Sequence, residues 1–269
     1  MVKNDYNSLQ SLFKEWRQFE VPPLNNDAPD YSTSAFGKRL SKFHSLQNKL
    51  NAIDTSGWQV KQKIDWQIVQ SEMNGFDFNY RILKPWERDP AFYKLLWTER
   101  SDVPAHEGPT PHYITELWKY SFPLSENNKK ELITSLNRIS PFCEQAKLNL
   151  TGNARDLWIA GIRDIKSQAD DLKSIQSLPG VSGDKDLLKV VEEASQATLS
   201  LEKWLTQEAK KKTGPSGIGK ENYSWYLKNV HGVPLTWDDE VMLLKRELAR
   251  AWSSLKLEEH RNRKLSPLM

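Results

Sequence analysis

The 269-residue sequence contains one cysteine, Cys143. An internal disulfide is excluded, and so is a zinc cluster built on cysteines, so no part of the fold depends on an oxidising compartment. A lone thiol in the helix expected over 142–148 reads as a small buried apolar residue rather than a nucleophile, which would need a local basic environment to lower its pKa. An excess of charge is missing as well. With 38 basic and 35 acidic residues the net charge is +3, and the one basic run, at 210–212, is too short to hold a polyanion, so no nucleic-acid partner is expected. Nowhere do 18 apolar residues run together, and the first six residues carry no apolar signal core. No membrane span is expected, and the chain as written reads as cytoplasmic, secretion remaining open if a leader was removed. Twelve glycines and 14 prolines are too few for a low-complexity chain. No period repeats along the sequence, which excludes a solenoid.

What is present is helical periodicity. Leu9, Leu12, Phe13 and Trp16 share one face, and Leu40, Phe43, Leu46, Leu50 and Ile53 mark a second helix over 33–53. Ile64, Ile68, Phe76 and Tyr80 are expected on the inner face of a third, which ends before Pro85. Between 85 and 123 prolines break the chain into short pieces that hold Trp86, Trp97 and Trp118. Ser125 is expected to cap a helix bearing Leu132, Ile133 and Leu136, and Asn153 a longer one bearing Leu157, Trp158, Ile162 and Ile165. Pro179-Gly180 and Ser182-Gly183 make the clearest turn. Thr236 with Asp239 three residues on forms a capping box for a last helix whose apolar face is Val241, Leu244, Leu248, Trp252 and Leu255. The expectation is an all-α array of antiparallel helices with few or no strands. It forms a single region over 1–269 or two packed subdomains, 1–123 and 124–269.

Residues 211–228 nearly spell a phosphate-binding loop. Gly214, Gly219 and Lys220 satisfy G-x-x-x-x-G-K, but Glu221 stands where Ser or Thr would hold magnesium, and the preceding segment is helical rather than an apolar strand. The spacing therefore reads as coincidence. A turn between two helices remains open beside a cleft loop in which Gly214, Gly217 and Gly219 let the backbone approach a ligand. In that second reading Lys220, Tyr223 and Trp225 are candidate peptide contacts, together with Trp86 and Arg88 of the aromatic and polar run at 86–89. The histidines offer no His-Glu-x-x-His pair. His106 and His112 flank Gly108, Pro109 and Pro111, which prevent helical presentation of ligands, so hydrogen-bonded loop histidines are expected. No Gly-x-Ser-x-Gly elbow occurs. No catalytic and no metal-binding residue is assigned.

Trp16-Arg17-Gln18-Phe19, Pro29-Asp30-Tyr31, Ser71-Glu72-Met73-Asn74-Gly75, the run from Lys84 to Pro90, and the segments 149–158 and 214–226 together resemble the N-terminal half of a bacterial family, the "domain of unknown function 885". Its members are regarded as largely helical, zinc-dependent peptidases about twice this length, with a His-Glu signature and a Pro-Gly-His element in their C-terminal half. Neither motif is found here. The resemblance thus implies a non-catalytic, cleft-forming part of a hydrolase, inactive alone, with peptide as substrate and zinc as cofactor only once the missing half is supplied. In such an enzyme zinc polarises the peptide carbonyl and activates water, with a glutamate as base. A stand-alone helical binding or scaffold module contacting a peptide or protein is the alternative. The sequence sets no oligomeric state.

Overall fold

The computed structural model describes residues 6–100 and 110–266. Leu9, Leu12 and Trp16 give helix α1 (Tyr6–Glu20) one buried face, and Pro22 and Pro23 follow its end. A minimal antiparallel hairpin, β1 (Leu24–Asn25) with β2 (Ala28–Pro29), turns at Asn26 and Asp27. Both turn residues have positive φ, which their short polar side chains tolerate. Helix α2 (Thr33–Asn51) starts at Ser32, whose hydroxyl accepts from the Ala35 amide. Helix α3 (Val60–Phe78) runs into a wider π turn, Asn79–Leu83, which ends at Lys84 in the left-handed region just before Pro85.

Trp16, Phe43, Leu46, Leu50, Val69 and Met73 form the smaller of two cores, shared by α1, α2 and α3. Ile64 and Ile68, expected inside, are instead about half exposed, and α3 buries Val69, Met73 and Phe78. Helix α3 carries apolar residues on more than one side. Periodicity cannot choose between the faces, and the position of α1 and α2 does.

The larger core joins the proline-broken segment to the later helices. That segment comprises α4 (Pro85–Arg88), a 3₁₀ turn at Pro90–Tyr93, and β3 (Leu96–Trp97), which pairs in parallel with β4 (Thr115–Glu116). After it come α5 (Glu126–Leu136), α6 (Ile139–Asn149), α7 (Arg155–Ile175) and α8 (Lys185–Glu208). Phe92, Tyr93, Leu95 and Leu96 pack in one cluster with Phe142, Trp158, Leu172 and Leu201. Trp86 belongs to the same cluster, and so do Ala28, Tyr31 and Phe36 from the first part of the chain. Gly161 makes this packing possible, since a Cβ there would lie 2.6 Å from the Ala91 nitrogen. Buried Gln168 of α7 fixes the segment from below. Its Oε1 accepts from the amides of Leu95 (2.6 Å) and Leu96 (3.0 Å), and its Nε2 donates to Thr198 of α8. Losing that side chain would orphan two buried N–H groups, each worth about 1–3 kcal/mol in desolvation.

Helices α9 (Lys220–Asn229) and α10 (Trp237–Arg261) complete the array, which is 69% helical and 3% strand: an all-α fold. Among the described residues no helix is long and apolar enough to cross a membrane.

Candidate functional site

The glycine-rich loop is stapled to the start of α7. Asn153 was expected to cap that helix, but its side-chain oxygen turns away and accepts from the amides of Thr213 (2.7 Å) and Gly214 (2.9 Å). The cap comes from the loop instead. Ser216 Oγ accepts from the amides of Asp156 (2.8 Å) and Leu157 (3.2 Å), while Gly214 O accepts from Arg155 N. Gly214 is required because a Cβ would stand 2.2 Å from the Asn153 carbonyl oxygen. Gly217 faces open space, and Gly219 opens α9 with φ of 84°. Arg88 joins the same junction, donating to Ser216 O (2.9 Å) and Leu83 O (3.4 Å).

Lys220, Tyr223 and Trp225 lie on α9 and hold its neighbours. Trp225 stacks on Phe78 of α3, with ring centroids 5.5 Å apart. Lys220 pairs with Asp238 (3.0 Å) and covers the Trp237 ring, and Tyr223 donates to Glu240 Oε2 (2.5 Å). These contacts all fall in the first turn of α10, whose capping box forms through Thr236 and Asp239. Beyond that turn only Val241, Leu243 and Glu247 are partly covered. No residue of α10 is buried, and from Leu248 on every described residue is exposed. Leu244, Leu248 and Trp252, spaced four apart on one face, are 66%, 58% and 55% exposed, and Leu255 continues the stripe.

Trp86 sits elsewhere, in the wall of a separate pocket. It is buried and stacks on Phe36 at 4.0 Å. The pocket, about 340 Å³, lies at the seam of the two cores, between α1, α2, α3 and the start of the proline-broken segment. Apolar rings line one side. The other carries Arg17, Glu20, Arg39, Glu72 and Asn79. Arg17 bridges Glu20 (2.8 Å) and Glu72 (2.6 Å), and Trp16 Nε1 also donates to Glu72. Burial raises the pKa of the Glu20 carboxyl, against the pull of Arg17. Arg39 Nη2 reaches the carbonyl oxygens of Phe19, Glu20 and Val21 at the C-terminal end of α1. Its pKa is lowered by burial.

Sequence reasoning did not single out this pocket, because its charged residues come from three separate helices without a common motif. One signal was available: the short runs 16–19, 29–31, 71–75 and 84–90, singled out together from the sequence, supply Arg17, Tyr31, Glu72, Gly75, Pro85 and Trp86, and all six line this one space.

His112 is bound to the pocket edge. Its backbone amide donates to Tyr31 Oη (2.8 Å), which lies 3.3 Å from its Nδ1. Burial and then Arg39 lower its pKa, which favours the neutral ring. His106 lies outside the described residues. Among the described residues, no three His, Cys, Asp or Glu side chains gather as a metal ion would require. These residues do not fit a zinc centre.

No protein-family description matches the chain, and no curated protein matches it. Among solved structures it is similar to a chain from Shewanella oneidensis described as a "putative lipoprotein of unknown function", with a TM-score of 0.60 and 14% identity. The match covers 98% of this chain and 50% of that one. At that identity the likeness shows the fold, and the chain spans about half the length of the protein it matches.

Proposed function

We propose that the chain is the helical, non-catalytic part of a two-part peptidase, forming one wall of a cleft whose metal-bearing wall is a further C-terminal part. The observation that carries this reading is α10. Its apolar stripe is uncovered over roughly 20 Å, and a helix of this length draws most of its stability from packing such a face. The match to half of a longer chain supports an intramolecular occupant over a second protein. Zinc belongs, in this reading, to the absent part. The residues present would shape the cleft: the Ser216 staple fixes α7 and the loop, and the Lys220 and Tyr223 contacts set the angle at which α10 meets its cover.

The test compares residues 1–269 with the same chain extended by the sequence encoded downstream. The longer protein is expected to hold one zinc and cleave peptides, and the shorter to do neither. One tightly held zinc per chain in the shorter protein overturns the proposal. A natural stop after Met269, with a stable monomer, would favour a stand-alone binding module instead.

A further inference from the structure

The pocket at the seam of the two cores has a chemistry of its own, independent of what covers α10. Arg39 is the key. Its Nη2 meets only backbone carbonyls, it makes no ion pair among the described residues, and its guanidinium lies against the Phe19 ring at 4.6 Å. Both carboxylates of the pocket are already drawn to Arg17. A partly desolvated guanidinium hydrogen-bonded only by backbone carbonyls, with Glu20 acting on it through charge alone, favours a carboxylate, which matches its planar fork.

A second polar group asks for the opposite partner. Asn79 lines the pocket, and its Oδ1 is buried with no hydrogen-bond donor among the described residues. It begins the π turn, a distortion frequent at functional sites. An unmet buried acceptor costs about 1–3 kcal/mol until a donor arrives. Glu20, half buried and with its pKa raised, stands in the same space and would be favoured as an ion by a cationic group. Phe36, Trp86 and Phe92 supply the flat apolar wall.

A carboxylate for Arg39, an N–H for Asn79 and Glu20, and an apolar side chain for the aromatic wall are the parts of one amino-acid residue with a free carboxyl end. The 340 Å³ volume is at the small end of ligand sites, which run from about 300 to 1,000 Å³, so it suits one residue rather than an extended peptide. We propose that this pocket binds the carboxyl-terminal end of an aromatic or large apolar amino acid, either free or as the last residue of a peptide.

The experiment is calorimetric titration of residues 1–269 with L-phenylalanine, the dipeptide glycyl-phenylalanine and phenylalaninamide, which lacks the carboxylate. Saturable binding of at least one free acid, with the amide at least tenfold weaker, is expected. Preference for L-phenylalanine assigns the site to free amino acids, and preference for the dipeptide assigns it to peptide ends. Arg39→Lys, which keeps the charge and loses the fork, should weaken the acid at least fivefold. Asn79→Leu, which removes the acceptor and fills space, should do the same. Should either variant fail to fold, the acid–amide comparison on the unaltered chain decides alone. Equal affinity for acid and amide, or no saturable heat from any probe at millimolar concentration, overturns the proposal and leaves Arg39 as a cap on α1.

Discussion

The Ser216 hydroxyl oxygen lies 2.8 Å from the Asp156 amide nitrogen, so α7 is capped by a residue 60 positions further along the chain. The glycine-rich loop is thereby a structural staple first. Ser216→Ala should lower stability by about 1 kcal/mol, the usual worth of an N-cap, with Ser216→Thr close to neutral. Gly214→Ala should cost more, about 2 kcal/mol or above, because its Cβ would meet the Asn153 carbonyl. Gly217→Ala should change little, since nothing lies within 4 Å. Urea unfolding of the four variants checks the order. A Gly217 effect as large as that at Gly214 would contradict the staple.

Local signals in the sequence were legible and distant ones were not. The capping box of α10 and the apolar stripes of α1, α2 and α10 depend on residues three or four apart, which the sequence displays directly. The cap on α7 depends on a loop 60 residues away, so Asn153, a good local cap, was the natural expectation. Helix α3 offered two apolar sides, and only its neighbours decide that Ile64 and Ile68 stay out. Trp86 looked like a cleft residue from its polar neighbours Glu87, Arg88 and Asp89. In the fold it is buried against Phe36, yet it does line a pocket. The charged residues of that pocket, Arg17, Glu20, Arg39 and Glu72, have no signature because the three helices carrying them are brought together only by the small core.

Asp89 gives a pH dependence of defined sign. Burial, opposed by its hydrogen bond from the Ala91 amide, pushes its carboxyl up to about 6. The folded protein therefore binds this proton more tightly than the unfolded chain, whose aspartates titrate near 3.9. The charged form destabilises the fold above pH 6, and that penalty is relieved as pH falls from about 6 toward 4. Asp89→Asn keeps the acceptor for Ala91 without the charge. It should be the more stable protein at pH 8, by about 2 kcal/mol after allowance for partial exposure, with the difference closing by pH 4. Thermal or urea unfolding of both proteins across that range tests it. A difference independent of pH would show that the side chain is not charged at a cost.

Cys143 is fully buried, and burial pushes its thiol up to about 12. A thiol reagent at pH 8 should leave the native chain unmodified over hours and label one site per chain at once in denaturant. Under native conditions labelling should follow opening of the fold, so it should accelerate in Gly214→Ala. Rapid labelling of the native protein would place the thiol at the surface and contradict its packing among Phe142, Ala146 and α8.

Helix α10 can be tested in isolation from any catalytic assay. Its exposed backbone hydrogen bonds beyond Leu248 have no tertiary packing to protect them, whereas α7 and α8 lie in the main core. Hydrogen exchange of residues 1–269 should show amides from 248 onward exchanging far faster than those around Gln168 and Thr198. Leu248→Glu with Trp252→Glu should change unfolding free energy by no more than about 0.5 kcal/mol, as expected for surface sites. In the downstream-extended chain the same amides should become protected. There the double substitution should expose them again, because the stripe would then be an interior face. Protection of α10 in the short chain at every concentration, independent of the double substitution, would mean that its apolar stripe is not what a partner covers.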